Sequence, residues 1–120
     1  MVVPFHLSLP PSINHCYVGI RRHKSKFYKE WLKESTAEML LTVPNSRTAA
    51  SKGDHWELTL TCVMPNWRRR DLDNTIKVLV DFLAEYLGLE DNRLVALAAV
   101  KEVVGGQSYC CGEVRIDGKD

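Results

Sequence analysis

The segment from Met64 to Lys77, MPNWRRRDLDNTIK, concentrates the residue types that phosphate chemistry uses. Asp71 and Asp73 follow an arginine run, Arg68, Arg69 and Arg70, and Lys77 comes one helical turn after Asp73. Two carboxylates at a strand-to-helix corner can converge on a cation. The three arginines leave a positive excess beside them. Carboxylates for a divalent ion and guanidinium groups for phosphate oxygens together suit a metal-dependent phosphodiesterase. Asp91 lies between the next helix and the next strand, so it joins the others only if that strand runs beside the one ending at Pro65.

The same residues have plainer readings. If the helix starts near Asp73, that carboxylate is an N-cap worth about 0.5–2 kcal/mol, and a cap can also be a ligand. Lys77 is four residues from both Asp73 and Asp81. A solvated helix pair, worth only about 0.3–0.5 kcal/mol, explains it as well. Asp71, Asp73 and Thr75 imitate the opening of an EF-hand loop. Ile76 occupies the required glycine position and Phe82 the bidentate glutamate position, which excludes that calcium site.

Sixteen Lys and Arg against fifteen Asp and Glu leave a net charge of +1, so any nucleic-acid reading must rest on local clustering. Arg21, Arg22, Lys24, Lys26, Lys29 and Lys33 face only Glu30 in sequence, whereas Asp81, Glu85, Glu90 and Asp91 occur from Leu79 to Asp91 without a base. The four cysteines, Cys16, Cys62, Cys110 and Cys111, form no CxxC pair. That argues against structural zinc and a disulfide framework, and fits a reducing compartment. His6, His15, His23 and His55 are scattered and are assigned no chemistry. No apolar run approaches the ~18 residues of a membrane span, and the N-terminus lacks signal-peptide features. The expectation is a cytoplasmic protein without a membrane partner.

Residues 1–120 fit one domain, and 45% hydrophobic with 26% charged residues is ordinary for a folded one. Alternation predicts a strand over 3–9, stopped by Pro10-Pro11 and followed by a basic loop. Phe27, Trp31, Leu32, Met39 and Leu40 predict a helix from Lys26 to about Leu41. Residues 44–54 read as a polar loop, and Trp56 to Met64 alternates as a strand. Ile76, Leu79, Val80, Leu83 and Leu87 recur at helical spacing, with Gly88 placed for a left-handed cap. Residues 94–104 and 107–116, joined by Gly105-Gly106, read as a hairpin. The predicted fold is α+β, with two helices on a mixed or antiparallel sheet of about four strands.

The motif RRRDLDN, Arg68 to Asn74, with Lys77 and the later Glu90-Asp91, resembles the signature of the RusA family of crossover-junction endodeoxyribonucleases. LPPSINHCY, Leu9 to Tyr17, is similar to that family's Pro-Pro-Ser-x-Asn segment, and the resemblance runs from about residue 5 to 116. It implies that Asp71, Asp73 and Asp91 are metal-binding carboxylates for Mg²⁺ or Mn²⁺ and that Lys77 supplies a catalytic or phosphate-contacting ammonium. Arg21, Arg22, Lys24, Lys26, Arg68, Arg69, Arg70 and Asn74 would contact DNA. The resemblance further implies a homodimer that resolves four-way (Holliday) junctions by paired symmetric nicks in recombination and repair, leaving 5′ phosphates. Glu90-Asp91 departs from an Asp-Asp pair frequent in the family, and its loop is about one residue shorter. Glu90 is the candidate ligand if the register slips. Two other readings stand beside this one: a catalytically idle DNA-binding module, and a nuclease preferring flap or branched DNA.

Overall fold

The computed structural model describes residues 1–43, 54–67 and 72–117. In chain order the elements are β1 (Val2–Leu7), α1 (Ile13–Cys16), β2 (Tyr17–Val18), β3 (His23–Lys24), α2 (Lys26–Thr42), β4 (His55–Met64), α3 (Leu72–Leu87), a 3-10 turn (Asp91–Arg93), β5 (Leu94–Val103) and β6 (Tyr109–Asp117). The predicted 44–54 loop falls outside the described residues except for Asp54.

Alternation decides which faces of the strands are buried. Val3, Phe5 and Leu7 of β1 and Trp56, Leu58, Leu60, Cys62 and Met64 of β4 all point into one core. The four strands lie in the order β1-β6-β4-β5. β1 and β4 each pair antiparallel with β6, while β4 pairs parallel with β5, so the sheet is mixed and the α+β expectation holds. A parallel neighbour requires a crossover, and α3 is that crossover.

The apolar stripe of α3, Val78, Leu79, Phe82, Leu83, Tyr86 and Leu87, is buried, as are Tyr28, Trp31 and Met39 of α2. Trp31 meets Phe82 edge-on at 5.1 Å. Its indole N–H donates to the Ser8 carbonyl at 2.8 Å, fastening α2 to the end of β1. The Tyr86 hydroxyl donates to the Val43 carbonyl at 3.0 Å and ties α3 to the end of α2. As the sequence predicts, Gly88 closes α3 in a left-handed conformation, φ 71°. The Leu89 N–H then reaches back to the Ala84 carbonyl at 2.8 Å, satisfying an otherwise free helix-end acceptor.

Three local expectations need correction. First, β5 and β6 do not form a hairpin, because β4 lies between them in the sheet. The Gly105-Gly106 turn carries the chain across the end of β4, where the Val104 N–H bonds the Met64 carbonyl at 2.9 Å. Second, the basic loop contains the short helix α1 and a small two-stranded sheet, β2 with β3. Third, α3 begins at Leu72, so Asp73 lies inside the first turn and not at the cap. No helix among the described residues is long and apolar enough to cross a membrane.

Candidate active site

Asp73, Lys77, Asp81 and Glu85 recur at four-residue intervals and form the polar ridge of α3 opposite its buried stripe. Asp73 is exposed in the first turn, where the helix dipole favours a carboxylate. The Lys77 ammonium lies 3.6 Å from the Asp81 carboxylate, and both side chains are substantially exposed at 63% and 40%. An exposed pair of this kind contributes little to stability. Asn74 is half-buried and Thr75 fully buried beside the ridge.

The basic segment is arranged on two tyrosines. The β2–β3 hairpin turns at Gly19 (φ 79°) and Arg22 (φ 52°), and the Arg22 N–H donates to the Gly19 carbonyl at 3.1 Å. A left-handed arginine is uncommon. Arg22 has its guanidinium 4.9 Å from the centre of the Tyr17 ring, in cation–π range. Lys24 lies 6.0 Å from the centre of the Tyr28 ring. Tyr17 and Tyr28 meet edge-on at 5.6 Å. Burial, followed by the neighbouring Tyr17, Cys16 and finally Asp81, pushes the Tyr28 hydroxyl well above the usual phenol range. Tyr28 is thus the aromatic ring on which Lys24 and, through Tyr17, Arg22 are arranged.

Ser25 fixes the hairpin at its base. Its hydroxyl accepts from the Tyr28 N–H at 3.1 Å as the α2 cap and donates to the His15 carbonyl at 2.7 Å. Arg21, Arg22, Lys24 and Lys26 are all exposed around this frame. The sequence reading gave Tyr17, Tyr28 and Ser25 no role, although Tyr17 precedes the basic run and Tyr28 lies within it. Trp67 was also passed over. It is 76% exposed immediately before the arginine run, with the Lys101 ammonium 5.5 Å from its ring centre.

Asp91 does not join Asp73 within the chain. The strand after it does run beside β4, but parallel, so Leu94 lies opposite Trp56 at the start of β4 while Asp73 follows the far end. The Trp56 indole N–H donates to the Glu90 carbonyl at 2.8 Å, and an Arg93 guanidinium nitrogen lies 3.2 Å from the His55 ring nitrogen Nε2. Both contacts hold the Asp91 turn at the start of β4. There Glu90 and Asp91 line an open cleft of about 440 Å³ with Asp81 and Glu85. Among the described residues, no three His, Cys, Asp or Glu side chains are grouped to hold a metal ion. Asp71 and the arginines Arg68, Arg69 and Arg70 lie outside the described residues.

No family model and no curated protein matches the chain. Among solved structures it is similar to two of 2C-methyl-D-erythritol-2,4-cyclodiphosphate synthase. The first has a TM-score of 0.38 at 18% identity, covering 70% of this chain and 53% of the synthase. The second, in a CDP-bound form, has a TM-score of 0.37 at 16% identity, covering 78% and 58%. The chain spans little more than half the length of those synthases, and no activity follows from overlap this low.

Proposed function

We propose that the chain is a metal-dependent, structure-selective endodeoxyribonuclease that acts as a homodimer on four-way DNA junctions. The observations supporting this reading are a cationic hairpin arranged on Tyr17 and Tyr28 and a polar ridge of exposed acids and Lys77 on α3. Such features offer cations for a DNA backbone and, on the helix, acids and an exposed lysine for phosphate chemistry.

Arg21, Arg22, Lys24 and Lys26 contact backbone phosphates, which orients the duplex arms without reading sequence. Exposed Trp67 supplies an aromatic face for a base unstacked at the branch point. Lys77 leaves its weak pairing with Asp81 and meets a phosphate oxygen, placing positive charge where the phosphorane develops it. The described acids of one chain do not make a metal site by themselves. Asp71 and Asp73 with the partner's Asp91 would hold Mg²⁺ or Mn²⁺, which when bound supplies Lewis acidity for phosphodiester hydrolysis.

The test is cleavage of a synthetic four-way junction with and without Mg²⁺, comparing the intact chain with Asp73→Asn. Paired nicks that need both Mg²⁺ and Asp73 support the reading. Tight junction binding without cleavage at any Mg²⁺ or Mn²⁺ concentration replaces it with the idle DNA-binding module, in which the Lys77–Asp81 contact is only a surface pair. Faster cleavage of flaps than of junctions at equal ionic strength assigns the activity to other branched DNA.

A further inference from the structure

We infer that the cleft between α2 and the free edge of β1 is a binding site for a linear aliphatic polyamine. Its walls are His6 and Ser8 of β1 and Glu34, Ser35 and Glu38 of α2, around a volume of about 320 Å³. Past Ser8 and Glu34 it opens into a wider groove of about 600 Å³, lined by Phe27, Glu30 and Trp31 and by the Pro10-Pro11 segment. Neither part is used by the nuclease reading, so the inference stands apart from it.

A buried hydroxyl points to a ligand here. Ser35 is 1% exposed, and its Oγ has no hydrogen-bond partner. A helical serine or threonine commonly satisfies itself by donating to the carbonyl four residues back. Thr36 donates in this way to Leu32 at 2.7 Å and Thr42 to Glu38 at 3.4 Å, but Ser35 does not. A polar atom kept buried and unpaired costs free energy, which a ligand group in the cleft would recover.

The groups around that hydroxyl specify a cation. Glu30, Glu34 and Glu38 recur at four-residue intervals, so their carboxylates share one face of α2. Like charges at that spacing destabilise a helix, and none of the three is held in an ion pair among the described residues. The strand wall adds acceptors. Met1 and Ile116 exchange both main-chain bonds, and bonded pairs alternate along an antiparallel ladder, so the main-chain groups of His6 and Ser8 turn away from β6. The Ser8 carbonyl already accepts from the Trp31 indole at 2.8 Å, which leaves the His6 carbonyl at the cleft.

Shape selects an extended cation over a point charge. Among the described residues no three His, Cys, Asp or Glu side chains are grouped to hold a metal ion. The acids are instead strung along α2 at intervals of about 6 Å, the helical rise over four residues. Propylene and butylene spacers hold ammonium groups at comparable separations. In the wider groove exposed Phe27 offers its ring to the methylenes, and ammonium groups are drawn to aromatic faces. Each ammonium donates hydrogen bonds and accepts none, which matches walls of carboxylates, a carbonyl and a hydroxyl. The same acids repel a phosphate backbone.

The test titrates the full chain with spermidine, without DNA or metal, at low ionic strength. Calorimetry is expected to show a single saturable site per chain. Glu34→Gln combined with Glu38→Gln should weaken it about tenfold, as charge-assisted contacts are lost. Ser35→Ala should weaken it about threefold while leaving the melting temperature of the unliganded chain at or above the native one, because the unpaired hydroxyl is gone. Glu102→Gln combined with Glu113→Gln removes the same charge from exposed positions on the strands and should change nothing. Native affinity in either cleft variant, or equal weakening by the strand pair, would overturn the site. In the native chain spermidine should shift the amide resonances of His6, Ser8 and residues 34–38. Shifts centred instead on Asp81, Glu85, Glu90 and Asp91 would overturn it whether or not the variants fold.

Discussion

Asp73 and Asp91 stand at opposite ends of α3, separated by most of the about 24 Å length of a 16-residue helix. One chain therefore does not bring both carboxylates to one cation. In the homodimer proposed above, the second copy would have to supply the Asp91 that completes a site begun by Asp73. The consequence is complementation. Asp73→Asn and Asp91→Asn are each expected to abolish junction cleavage, whereas an equilibrated equimolar mixture regains about a quarter of the native sites. Those sites belong to mixed dimers that retain Asp73 from one copy and Asp91 from the other, and each such dimer nicks one strand. A mixture as inactive as its components, with mixed dimers demonstrated, would place both acids in the same chain's site or outside it. Activity retained by Asp91→Asn alone shifts attention to Glu90→Gln.

Replacing Lys77 by Ala should lower the single-turnover cleavage rate at least tenfold while changing stability by no more than about 0.5 kcal/mol. The small stability effect follows from the 3.6 Å contact with Asp81 between exposed side chains, outside the apolar stripe of α3. Urea unfolding and single-turnover cleavage on the same preparation separate the two roles. An unchanged rate assigns Lys77 to the surface pair alone.

The elements most legible in the sequence were those whose periodicity alone fixes them. Trp56 to Met64 alternates and is β4; Lys26 to Leu41 has helical spacing and is α2; Gly88 stands where a left-handed cap closes α3. Pairing was not legible, because period 2 says which face of a strand is buried and nothing about its neighbour. Gly105-Gly106 between two apolar runs gives a hairpin signal. Yet buried Cys110, Val114 and Ile116 take β6 between β1 and β4, leaving β5 at the edge. The same blindness to pairing left the relation of Asp91 to Asp73 open until the parallel register placed Leu94 beside Trp56. Tyr17 and Tyr28 were unreadable for another reason: their contacts with Arg22 and Lys24 exist only once the hairpin folds over the start of α2.

Changing Arg21, Arg22, Lys24 and Lys26 together to Ala should weaken junction binding and flatten its salt dependence. Each lost phosphate contact lowers the log–log slope by about one unit. All four side chains are exposed, and Arg22 and Lys24 lie over Tyr17 and Tyr28. Titrations at several salt concentrations read the slope directly. A slope equal to that of the native chain would mean that the hairpin faces away from DNA and that the grip lies elsewhere.

Gly112→Ala should destabilise the chain by about 2–3 kcal/mol or more, since overpacking at a site that cannot relax is among the costlier substitutions. Gly112 lies in the interior of the sheet, between Phe5 of β1 and Leu60 of β4. A Cβ built there would overlap the Thr59 carbonyl oxygen and press on the Leu60 backbone. Both obstacles are main chain in the central strand, so neither can swing aside as a flexible side chain would. The position therefore excludes a side chain for lack of space, not for backbone conformation, and alanine must push β4 and β6 apart. Gly105 is the matched control, because a Cβ there meets nothing within 4 Å. Chemical unfolding monitored by circular dichroism should give a midpoint for Gly105→Ala close to the native one and a clearly lower midpoint for Gly112→Ala. Equal midpoints would show that β4 and β6 separate at little cost at this register, and the tight approach at Thr59 would no longer explain the glycine.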